Sequence, residues 1–122
     1  MNAERHKADQ PGELDTEDRK IVTLARSARA RSGAVEGAAV RDETGRTYAA
    51  TTVALSSLQV SALALAAAMA VSSGAKALEA AALVSDGPAP AAADLQIVRE
   101  LGPEALVIHA APDGSVRQAI RP

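Results

Sequence analysis

A three-layer α/β/α domain around a mixed five-stranded sheet is the fold this sequence predicts, and three observations predict it. Strand-like runs of β-branched and alanine residues alternate with helical stripes after an opening hairpin, the pattern of a sheet with helices on both faces. Tyr48 is the single aromatic residue and Phe and Trp are absent, so the core is built from Ala, Val, Leu and Ile and its elements sit close together. The 122 residues fit one domain with room for an ordinary core.

The elements follow in the order αββαβαββ. Residues 1–15 combine charges with Pro11 and Gly12 and lack an apolar period, which reads as a mobile polar tail ahead of a domain over 16–122. Asp15 is placed to cap a first helix, with Glu17 and Asp18 in its first turn and Ile21, Val22, Leu24, Ala25 and Ala28 forming a stripe to about Arg31. Ala34 to Arg41 reads as a strand, Asp42 to Gly45 as a hairpin turn, and Arg46 to Val53 as the partner strand. A second helix is expected from about Ser57 to Ser72, stopped by Gly74, and a third strand from Leu78 to Val84, ended by Asp86-Gly87-Pro88. The third helix runs from about Ala91 to Leu101 and stops at Gly102-Pro103. Leu106 to His109 and Ser115 to Ile120 are the last strands, joined by the turn Pro112-Asp113-Gly114.

Composition excludes several classes of function. With no cysteine there are no disulfides, thiolate metal sites or cysteine nucleophiles. A formal charge of −2 with interspersed signs lacks the basic footprint of non-specific nucleic-acid binding. The start of the chain is polar throughout, unlike a signal or transit sequence, so a cytoplasmic location is expected. From Thr47 to Ala75 there is no charge, which raises the question of a membrane span. The β-branched run Thr51-Thr52-Val53 and the polar Ser56, Ser57, Gln59 and Ser61 argue instead for a strand followed by a buried helix, so no membrane association is expected.

Four short matches carry a family resemblance: Gly45-Arg46-Thr47-Tyr48, Val60-Ser61-Ala62, the stretch from Pro90 to Gly102 with its Arg99-Glu100-Leu101-Gly102 ending, and Pro112-Asp113-Gly114-Ser115-Val116-Arg117. In this order and spacing the chain resembles the cytidine deaminase family from about Lys20 to Arg121. The resemblance implies a three-layer α/β/α fold and assembly as a dimer or tetramer. It also implies four zinc-site positions, because these enzymes use a His or Cys two residues before a catalytic Glu, then Pro-Cys-x-x-Cys on a second helix. Those positions fall here on Ser61, Leu63, Ala91 and Asp94, all of them changed. The family's Asn-x-Glu pair that holds the ribose falls on Thr52 and Ala54. Zinc catalysis needs about three protein ligands and a proton-transferring group, and neither Ala91 nor Leu63 can serve, so no zinc and no other cofactor is expected.

Other chemistry finds little support in the sequence. Asp94, Ser61 and His109 make a poor replacement metal set, because His109 is expected in a strand at the sheet edge. Asp94 is explained by the helix dipole, and Ser61 lacks a candidate base nearby. Glu36, Asp86 and Asp94 could pair as acid and base, but no two of them are placed together by the sequence. Loss of a metal between two helix N-termini leaves a hole that Leu63 and Ala91 fill, or that an anion enters. Arg26, Arg29 and Arg31 end the first helix and, with Arg41 and Arg46, form the local basic excess; they read as a solvated helix end, or as a contact for RNA or another protein. The sequence therefore points to a zinc-less, catalytically inactive homo-oligomeric module with a binding, regulatory or adaptor role toward a protein or RNA partner it does not name. The alternative is a cytidine or deoxycytidine deaminase, or another hydrolase, using an unrecognised site.

Overall fold

The computed structural model describes residues 14–122; residues 1–13, most of the segment expected as a tail, lie outside the described residues. Helix α1 (Thr16–Ser32) opens on Asp15, whose carboxylate accepts the Asp18 N–H at 2.8 Å, and ends at Gly33 in the left-handed conformation. Strands β1 (Gly37–Asp42) and β2 (Thr47–Thr51) form the opening hairpin. Its turn is organised by Asp42, one carboxylate oxygen of which accepts from the Thr44 hydroxyl at 2.7 Å, the Thr44 N–H at 2.8 Å and the Arg46 N–H at 3.0 Å. The other oxygen accepts from the Tyr48 hydroxyl at 2.8 Å, which gives the single aromatic residue a structural role. These donors, the Thr44 hydroxyl foremost, hold the Asp42 carboxyl down at about 2.

The second helix begins later than its composition suggests. The chain first makes a small two-stranded hairpin of β3 (Val53–Ala54) and β4 (Gln59–Val60), with Leu55 N–H bonded to the Leu58 carbonyl at 2.8 Å. Helix α2 (Ala62–Ser72) starts only where Ser61 caps it by accepting the Ala64 N–H at 3.2 Å. Then follow β5 (Leu78–Val84), α3 (Ala92–Leu101), β6 (Leu106–Ala110) and β7 (Val116–Ile120). The five-stranded sheet has the order β2-β1-β5-β6-β7, with β5 and β6 parallel and the other neighbours antiparallel.

Alternation along the strands sends Ala38, Val40, Ala81, Leu83 and Val107 toward α2 and α3, and Ala39, Ala80, Ala82, Val84 and Ile108 toward Ile21, Val22 and Ala25 of α1. Three layers result. Arg41 fastens α1 to the sheet, its guanidinium lying 3.0 Å from Asp18 and 3.1 Å from Glu79. No helix among the described residues is long and apolar enough to cross a membrane.

Small residues let the layers approach closely, and Gly37 marks the tightest point. A methyl group there would run into the Ala25 carbonyl oxygen and the Arg29 side chain of α1. Gly37→Ala is therefore expected to destabilise the protein by about 1–3 kcal/mol or more through overpacking against backbone, measured as a lower urea midpoint at unchanged m-value. A neutral result would mean that α1 does not sit this close.

Candidate functional site

The structure brings the starts of α2 and α3 together, and with them two residues 33 positions apart: the Ser61 hydroxyl donates to an Asp94 carboxylate oxygen at 2.7 Å. Each end of this bond has a local cause. Ser61 is the N-cap of α2 and already accepts the Ala64 N–H, so its hydroxyl proton is free to point outward. Asp94 lies in the first turn of α3, where a carboxylate meets the positive end of the helix and where Ala91, the N-cap residue, offers no side-chain cap. Asp94 is buried and Ser61 half-buried, so the bond joins two helix starts with partial shielding from water.

A third group joins this pair. Glu36, the residue before β1, is half-buried and its carboxylate accepts the Ala62 N–H at the beginning of α2. Burial foremost, and then the nearby Asp94 carboxylate, push the Glu36 carboxyl above its ordinary value, while the Ala62 N–H pulls the other way. Thr52 fixes the backbone here: its hydroxyl oxygen accepts the Glu36 N–H at 3.1 Å and its own N–H donates to the Glu36 carbonyl at 3.2 Å. Ala54 lies exposed on the small hairpin and touches none of this.

Of the four positions expected at one site, Ser61 and Asp94 are in contact, Leu63 is fully buried in the core on the α2 face, and Ala91 is exposed at the start of α3. Of the pair expected as an apolar plug, Leu63 is buried and Ala91 is exposed, and between the two helix starts the Asp94 carboxylate both matches the helix end and reaches Ser61. The Glu36–Asp94 proximity is invisible in the sequence, since it depends on β1 and α3 meeting at the same end of α2. Asp86 goes elsewhere, to Arg29 at 3.6 Å.

His109 corrects another expectation. Strand β6 lies between β5 and β7, so His109 is interior and 0% exposed, not at the sheet edge, because the final hairpin places β7 outermost. Its Nε2 meets the buried Ser85 hydroxyl at 2.9 Å. The helix-one arginines have local work: Arg29 donates to the Val35 carbonyl at 3.0 Å, and the Arg26 side chain lies beside Gly114. Arg31 is exposed in the last turn.

The donor set can be tested against zinc. Ser61 is committed to Asp94 and Ala64, Leu63 and Ala91 offer no donor atom, and no group of three or more His, Cys, Asp or Glu side chains suited to a metal occurs among the described residues. The residues present do not fit a zinc ion.

A mixed sheet flanked by one helix on one face and two on the other, with the two helix starts converging, defines the class to which the chain belongs. A family model described as cytidine deaminase-like matches residues 14–114, and the chain is a member of that family. Among solved structures it is similar to the cytidine deaminase of Burkholderia pseudomallei, at 27% identity and a TM-score of 0.72, covering 84% of this chain and 90% of that one. It is also similar to the cytidine deaminase of Mycobacterium tuberculosis, at 25% identity and a TM-score of 0.66, covering 85% of this chain and 91% of that one. The Mycobacterium leprae cytidine deaminase, at 21% identity and a TM-score of 0.66 over 85% of this chain and 94% of that one, shares the fold. No curated protein matches the sequence.

Two variants test the junction. Ser61→Ala removes both the cap and the donor to Asp94 and is expected to destabilise by about 1–3 kcal/mol. Glu36→Gln should do the opposite at neutral pH. A carboxyl whose proton affinity is raised by folding contributes stability while protonated and loses it as pH rises through its folded value. Removing the charge should therefore raise the melting temperature at pH 7 and above, with the gain fading below the ordinary glutamate value of about 4.3. A pH-independent difference between Glu36→Gln and the parent would show that neither burial nor Asp94 raises the Glu36 carboxyl.

Proposed function

We propose that this chain is a zinc-free member of the cytidine deaminase-like family without deaminase chemistry, kept for binding, regulatory or adaptor contacts of its surface. The observation that carries the reading is the Ser61–Asp94 hydrogen bond at 2.7 Å, which ties the starts of α2 and α3 together through the chain's own atoms. On this reading Ser61, Leu63, Ala91 and Asp94 occupy the former zinc-site positions, and Thr52 and Ala54 the former ribose-binding ones. The support is that Ser61 and Asp94, matched to opposite helices from the sequence, lie in contact. Thr52 supports it differently, since its hydroxyl is engaged with the backbone of Glu36 and not turned to a ligand.

Assembly into a dimer or tetramer and a cytoplasmic location complete the proposal. Helix α2 carries no ionisable side chain, and Met69 and Val71 on it are exposed, as are Leu55 and Leu58 on the adjoining small hairpin. Such a face suits contact with a second copy or another protein. Arg26 and Arg31 are the exposed members of the basic helix end and the positions to test for RNA or protein capture.

The deciding experiment is elemental analysis of the purified protein with a cytidine and deoxycytidine deamination assay, and light-scattering mass on the same sample. The expected outcome is no stoichiometric zinc, no turnover and a mass of two or four chains. Zinc with turnover would overturn the reading in favour of a deaminase with ligands elsewhere, and a monomer would remove the assembly. The position assignment has a separate test. Replacing Ser61, Ala91 and Asp94 together by cysteine should give a folded protein that binds about one zinc per chain, since three thiolates then share one junction. A folded triple variant without zinc affinity would count against the assignment of these positions.

A further inference from the structure

We propose that His109 and Ser85 form an acid-sensitive clasp on the segment 85–91, which joins β5 to α3, and that protonation of the imidazole releases this segment. The pair sits at the ends of the parallel strands β5 and β6, where Ser85 follows Val84 directly and also donates its N–H to the Ala110 carbonyl at 3.1 Å. Alternation along β6 turns His109 to the same side as Val107, the side covered by α2 and α3. The ring is 0% exposed, and while Nε2 meets the Ser85 hydroxyl at 2.9 Å, Nδ1 is buried without a hydrogen-bond partner.

This environment suits only the neutral ring. A neutral imidazole has one donor and one acceptor nitrogen, and the serine hydroxyl can satisfy either at Nε2. In the imidazolium both nitrogens donate, and the Nδ1–H has nothing to receive it. The added charge is buried and repelled by Arg117 on β7, so burial and then this guanidinium lower the proton affinity of the ring. Glu36, half-buried one position before the Gly37–Val84 register pair at this same end of the sheet, is the carboxyl to account for, and it lies toward Asp94 and the Ala62 N–H at the start of α2. On the neighbouring strands, Leu83 and Gln118 are the uncharged register partners of His109. α2 has no ionisable residue, and on α3 Asp94 is engaged by Ser61 while Arg99 and Glu100 are exposed. Asp86 is exposed and faces Arg29.

Arg117 connects the charge to the segment. Its Nη1 donates to the Asp86 carbonyl at 3.3 Å and the Gly87 carbonyl at 2.8 Å, and the Gln118 amide donates to the Pro88 carbonyl at 3.4 Å. The same side chain therefore straps the segment down and repels a protonated His109. Protonation leaves the Nδ1–H without an acceptor and so drives the ring toward water and away from Ser85, and it weakens the Asp86–Gly87 end through Arg117. Release of both frees the approach to Ala91 and to the start of α3, where Asp94 holds Ser61. Acidification thus opens the junction from the α3 side.

The test is carried out on the full chain between pH 8 and 5, following the His109 ring and the chemical shifts of Asp86, Gly87, Ala89 and Ala91 by NMR, and the Ser85 amide, which is bonded to the Ala110 carbonyl, by hydrogen exchange corrected for its intrinsic pH dependence. The expected result is a ring that titrates below the ordinary value of about 6.5, with protection of the Ser85 amide falling by about tenfold per pH unit and the segment's shifts moving in step with it, while β1 and β5 stay protected. His109→Gln should abolish the step and keep the Ser85 amide protected throughout. Ser85→Ala should loosen the segment already at pH 8. Titration of the ring at or above the ordinary value, a step that survives in His109→Gln, or loss of protection only with global unfolding would each overturn the proposal. If His109→Gln does not fold, unaltered exchange in Ser85→Ala, or the ring titration in the parent protein, still decides against it.

Discussion

The hydrogen bond from Ser61 to Asp94 is the constraint around which the α2–α3 side of the molecule is arranged. Two helices that start at one place bring together two sets of unpaired N–H groups and two positive dipole ends, and such a junction is stable only with negative or accepting groups in it. Here they come from within. Asp94 answers α3 from its own first turn and reaches across to the cap of α2, while Glu36 takes the Ala62 N–H. One polar cluster thereby ties β1, α2 and α3.

This arrangement depends on the packing on the opposite face. Gly37 lies against the Ala25 carbonyl of α1, a contact that admits no side chain, and strand alternation then turns the preceding residue toward the other layer. Glu36 is delivered to α2 because Gly37 is pressed to α1. The alanines of β1 and β5 keep both helix layers close to the sheet, so that residue types as short as Ser and Asp span the junction. A sheet of larger residues would separate α2 and α3 from β1 and leave Glu36 short of the Ala62 N–H.

Much of the fold was legible because it rests on local chemistry. The Asp15 cap, the turn at Asp42, the span of β5 and the stop at Gly102 each follow from residues within a few positions of one another. The delayed start of α2 was not legible: β3 and β4 are two residues each, too short to show a period, and their apolar composition merges with that of the helix. The dipole role of Asp94 could be read from its place in α3, but its bond to Ser61 and its pressure on Glu36 could not, since both depend on which strands are neighbours. The same holds for His109. Whether a late strand is interior or at the edge is decided by where β7 adds, and the local sequence of β6 carries no mark of it.

Most of this chain obeys the rules of a stable fold: Asp15 and Ser61 cap the first two helices, strands alternate, and Leu63 is core. A site that keeps its chemistry normally keeps something unsatisfied, such as an open coordination position or a strained proton, and stability is lost in exchange. At the junction Ser61 and Asp94 are bonded to each other and Leu63 is fully buried, so none of the three is left open. Asp18 and Arg41 each keep a buried atom without a hydrogen-bond partner where α1 meets the sheet, and at the other side of the molecule two more residues break the rules. Glu36 carries a charge beside another carboxylate, and His109 holds a buried nitrogen with no partner. Both stand at the same end of the sheet as the loops that lead into α2 and α3, and neither is needed to fill space that an apolar residue of similar size could fill. Where local conflict persists at the end of the sheet that carries the junction, it marks a place where a requirement other than stability acts.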